Sequence, residues 1–120
     1  TTKVIYKFDF SMTYSSAGVI MHTRFMIDAT EVLYARRNYA WQGAYPQTRL
    51  SFEWPMAVGG VDNSGYTGRI GTWNSVKNLK LQVRRYSSSY AGTLNTLVDW
   101  DGGSGSGLFL MPTITITAMA

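Results

Sequence analysis

From Lys3 onward the chain alternates, with Tyr6, Phe8, Phe10, Met12 and Tyr14 on one side and Lys7, Asp9, Ser11 and Thr13 on the other. A period of two belongs to a strand with one buried face, whereas a helix repeats every 3.6 residues. The same rhythm returns around Val19–Ile27, Leu50–Val58, Leu79–Val83 and Ile114–Ala118. Strands with one apolar face must bury it against another layer. The predicted class is therefore all-β.

Turn chemistry divides the chain. Ser15-Ser16-Ala17-Gly18 reads as a turn, after which Val19, Met21, Thr23, Phe25 and Ile27 alternate with Ile20, His22, Arg24, Met26 and Asp28. Both rows are rich in apolar residues, as expected of a strand covered on both sides by a second sheet or a neighbouring subunit. Asp28-Ala29-Thr30 breaks the run, and Glu31 to Arg36 reads as a short third strand. Val32, Leu33, Arg36 and Tyr39 lie near helical spacing, so a helix between Glu31 and Trp41 is the alternative. Asn38 to Thr48 reads as a loop. In the next strand Pro55 cannot donate to a ladder, which predicts an edge or a bulge.

The glycine-bearing stretch from Gly59 to Ser75 has no sustained period and is a candidate contact surface. Gly92 to Val98 reads as a short strand, and Gly102 to Gly107 as flexible by composition. The closing strand is expected to run Leu108, Leu110, Pro112, Ile114, Ile116 and Ala118, with Thr113, Thr115 and Thr117 opposite. About eight β segments without a covering helix predict one antiparallel two-sheet sandwich or jelly roll over residues 1–120.

Composition narrows the function. No apolar run reaches the ~20 residues of a membrane-spanning helix, so no membrane insertion is expected. The first strand begins at Lys3, leaving no room for a signal peptide, and cytoplasmic synthesis is the expectation. The chain has no cysteine, which excludes disulfides and thiolate metal sites. Eleven Lys and Arg against seven Asp and Glu give a net charge of +4. The adjacent pairs Arg36-Arg37 and Arg84-Arg85 should each split across the two faces of a strand and make no stripe, which argues against nucleic acid as a partner.

Candidate sites are few. His22 is the only histidine; without a nucleophile-elbow motif it reads as a surface or interface residue rather than a catalytic one. Asp99 and Asp101 flank a turn that could collect a hard cation, but no further acid follows with calcium-loop spacing. No enzyme activity, cofactor or metal is expected. Tyr39, Trp41, Tyr45, Tyr66, Trp73, Tyr90 and Trp100 lie in or next to loops and are candidate contacts to a protein partner or a glycan. Ile20, Met26, Phe109, Met111 and Met119 fall on nominally outward faces, more apolar surface than a lone sandwich needs, and are candidate interface residues.

The strand series Lys3–Phe10, Phe25–Ala29, Leu50–Trp54, Asn78–Arg85, Gly92–Leu94 and Ile114–Thr117 resembles the small jelly-roll modules of tailed-bacteriophage virion proteins, which are similar in build to the C1q and tumour-necrosis-factor jelly roll. The resemblance implies a non-enzymatic, homotrimeric structural component of the virion, made in the host cytoplasm, that binds capsid or tail proteins. The module is expected to stand without a fibrous or coiled-coil stalk, which favours a head decoration or tail-accessory subunit. A carbohydrate- or receptor-binding module contacting a host surface glycan, as at a fibre tip, is the alternative.

Overall fold

A computed structural model describes residues 2–14, 19–41, 47–87, 89, 92–98, 104–109 and 111–120, with the backbone only at 13, 14, 41, 47, 96–98 and 104–109. The strands are β1 (Lys3–Tyr14), β2 (Val19–Ile27), β3 (Thr30–Trp41), β4 (Gln47–Ala57), β5 (Leu79–Arg85), β6 (Gly92–Leu94), β7 (Thr96–Val98), β8 (Ser104–Phe109) and β9 (Thr113–Met119). All pairings between these strands are antiparallel.

Two sheets face each other. In the first, β1 pairs with β4 on one edge, while β9 and β6 share its other edge. The second has the order β3-β2-β5, and β7 and β8 form a separate hairpin. The first and last strands lie side by side, and the whole is the jelly-roll-like antiparallel sandwich expected from the alternation.

The inward row of β1 drives the packing. Val4, Tyr6, Phe10 and Met12 are buried with Phe52 and Met56 of β4 against Val19, Met21, Phe25 and Ile27 of β2. Tyr6, Phe25 and Phe52 form an aromatic triangle between the sheets, with ring centroids 5.0, 6.2 and 5.6 Å apart. Full burial of side chains this size is worth about 1.5–3 kcal/mol each. Burial also pushes the phenols of Tyr6 and Tyr39 above the usual tyrosine range.

Several local expectations change. The segment from Glu31 is neither a helix nor a short strand, since β3 runs through Trp41 into the expected loop, and β4 begins at Gln47. The register of β3 on β2 jumps from Thr23↔Arg37 to Phe25↔Val32, so the residues between bulge away and leave the alternation unreadable as a strand. Their amides find other partners, because Leu33 and Tyr34 donate to the carbonyls of Gly65 and Tyr66. Ser104 to Gly107 lie in β8 rather than in a flexible tract. The closing strand starts only at Thr113, and Leu108 belongs to β8. Pro55 does sit on an edge strand, β4.

The connection from β4 to β5 is irregular but internally bonded. Asp62 accepts from Gly71 N, Ser64 N and Ser64 Oγ. Ile70 is buried, and Trp54 Nε1 donates to Thr67 O at 3.0 Å. Gly68 allows this approach, because its φ is +80° and a Cβ there would meet Trp54 Nε1 at 3.0 Å.

Candidate functional site

Two surfaces stand out, one at the open margin of the sandwich and one on its back. The first is made by β9. Its register places Ala118 beside Val4, Ile116 beside Tyr6 and Ile114 beside Phe8, so these residues share the core-facing side of the sheet. Val4 and Tyr6 are 6% and 3% exposed, yet Ile114 and Ile116 are 58% and 56% exposed. Among the described residues the facing sheet ends at β5, and Ile114 and Ile116 are left uncovered. The gap is a groove of about 700 Å³ lined by Ile114, Ile116 and Ala118 on one wall and by Trp73, Lys77 and Leu79 on the other. Lys77 is tethered 3.9 Å from Asp28, whose side chain also accepts from Asn78 N.

The second surface is the outer face of β3-β2-β5, a hollow of about 1030 Å³. Cross-strand register lines up His22 with Asn38 and Arg84, then Arg24 with Gln82, then Met26 with Glu31 and Lys80. His22 Nδ1 and Asn38 Oδ1 are 2.6 Å apart, and the Tyr86 ring lies 6.2 Å from the imidazole. Arg24 Nε donates to Gln82 Oε1 at 2.7 Å. Arg36 makes a two-pronged pair with Glu31, at 2.8 and 3.0 Å. That fork, with a weaker pull from Arg24, holds the Glu31 carboxyl below the usual glutamate range.

The expectation that the arginine pairs make no stripe is thereby corrected. The first pair does divide, since Arg37 lies 5.4 Å over the Trp54 ring on the other side, whereas Arg85, though in register with the inward-facing Met21, lines the same hollow as Arg84. The outward members, Arg36 and Arg84, nevertheless converge with Arg24 on one face. Strand order, which adjacency in the chain does not reveal, brings them together.

The expected aromatic contacts do not gather into one platform among the described residues. Tyr39 packs edge-on against Phe10 in the core. Tyr66 is exposed and meets Tyr34, a residue the sequence reading did not single out, with centroids 5.8 Å apart. Trp73 lines the β9 groove. Tyr45, Tyr90, Trp100, Asp99 and Asp101 fall outside the described residues, as does the side chain of Trp41.

Of the expected interface residues, Ile20 and Met26 are half-buried on the back of β2. Met111 is 76% and Met119 45% exposed, and the Phe109 side chain lies outside the described set. Among the described residues, the largest exposure of core-facing apolar surface is instead at Ile114 and Ile116. Alternation alone places both in an inward row, where cover is expected. Among the described residues, no cluster of three or more His, Cys, Asp or Glu could hold a metal ion. Comparisons with protein-family models, with curated proteins and with solved structures find no match.

Proposed function

We propose that this protein is a structural assembly subunit whose working surface is β9, and that copies of it associate there. The carrying observation is the exposure of Ile114 and Ile116 on a sheet face that is otherwise core. The strand's composition supports the same reading. An exposed edge strand invites pairing with another chain, and proteins blunt such edges with charge or proline. Edge strands β3, β4 and β5 carry Glu31, Arg36 and Arg37, then Arg49, Glu53 and Pro55, then Lys80, Arg84 and Arg85. β9, with sequence TITITAM, has neither charge nor proline.

A strand or apolar segment from a second copy would continue the sheet by main-chain hydrogen bonds and lay side chains into the groove. The setting proposed is a tailed-phage particle, as a head-decoration or tail-accessory component working as a homotrimer and contacting capsid or tail protein. No catalytic step belongs to this function. Sedimentation over a micromolar concentration series tests it: the expected result is a defined oligomer of trimer mass. A strict monomer up to ~100 µM, far above the micromolar constants of specific interfaces, would overturn self-association.

A further inference from the structure

The basic hollow is independent of β9 and lies on the other sheet, so assembly through β9 does not account for it. Arg24, Arg36 and Arg84 project from three adjacent strands, and Lys80 extends the row on β5. Glu31 is the one acid among the described residues lining the hollow. The outer face of the other sheet is different in kind, since Lys7 there is in register with Glu53, and Asp9 lies one step on. A face that gathers several cations around a single acid is complementary to an anion.

We propose that this face binds single-stranded nucleic acid through its phosphodiester backbone. Guanidinium groups suit phosphate because their planar forks donate two parallel hydrogen bonds. Gln82 holds Arg24 in place through Nε alone, whereas Arg36 spends its fork on Glu31, so Arg24, Arg84 and Lys80 carry the phosphate contacts. The Tyr86 and His22 rings at one end supply flat surfaces on which unpaired bases stack. From His22 to Met26 the row spans ~13 Å at the strand rise, enough to track more than one linked phosphate. Among the described residues lining it, the face is a shallow sheet hollow that presents no helix to a duplex major groove, which favours single strands.

Fluorescence anisotropy with a labelled 20-mer of deoxythymidine tests the assignment. Three phosphates engaged give a log–log salt slope of about −2.1, so affinity should fall roughly 20-fold between 50 and 200 mM salt. Arg24→Ala with Arg84→Ala should weaken binding at least tenfold and flatten the slope by about 1.4. Lys7→Ala with Arg49→Ala, which removes the same charge from the other sheet, should change affinity less than threefold. No saturable binding at 50 mM salt would overturn the proposal, as would equal losses in the two double variants. Equal competition by polyglutamate would reassign the face to acidic protein. Preferential binding to phosphatidylglycerol vesicles would reassign it to membrane. The salt slope and the competitions use the unaltered protein, so they decide the matter even where a variant misfolds.

Discussion

Phe25 contacts both Tyr6 and Phe52 across the sandwich and is fully buried. Phe25→Ala should therefore cost about 3–5 kcal/mol, read as a lowered urea midpoint, because a cavity remains between two sheets that cannot collapse onto it. Gly68→Ala should cost about 1–2 kcal/mol from its left-handed backbone, with further loss if Trp54 gives up Thr67. Asp62 carries a pH signature. Hydrogen bonds from Gly71 N–H first, and then from Ser64, hold its carboxyl below the ordinary aspartate value of 3.8. Its folded pKa is depressed, so its contribution is present above the unfolded pKa and lost as pH falls through the folded one. Protection of the Gly71 amide, taken against its intrinsic exchange rate at each pH, should fall in that acidic window, and Asp62→Ala should give the lower protection already at neutral pH. These core and loop residues differ in how visible they were beforehand. Phe25 was readable from alternation alone. Gly68 and Asp62 act through partners that only the folded loop supplies.

At the scale of elements, both faces of β9 are exposed, where a fully covered sandwich would bury one of them. Alternation correctly put Ile114 and Ile116 on one side and Thr115 and Thr117 on the other, but covering depends on how wide the opposing sheet is. That width is set by strands distant in sequence. Ile116→Asp should thus be tolerated by the isolated fold far better than Phe52→Asp, which buries an unpaired charge and should cost several kcal/mol. A thermal melt of the two variants separates them. β3 shows the same limit from another side, since the shift of register between Thr23 and Phe25 hid a strand running to Trp41 behind a half-helical spacing. The basic face was missed for a related reason. Arg24, Arg36 and Arg84 are distant in the chain and meet only because β2 is the central strand of its sheet.

The whole molecule is long and thin, 52 × 26 × 18 Å, with its core confined to the overlap of two sheets of unequal width. One margin is left apolar and unguarded, while the back of the narrower sheet is basic. Assembly through the margin would leave that back free, so Arg24→Ala with Arg84→Ala should not alter oligomer mass even where it abolishes oligonucleotide binding. The most direct test of assembly through β9 is the solution mass of Ile114→Asp/Ile116→Asp beside the unaltered protein, by light scattering with a melt of each. The account predicts an oligomer for the unaltered chain and a folded monomer, melting cooperatively, for the variant. A variant that keeps the oligomer mass would contradict it.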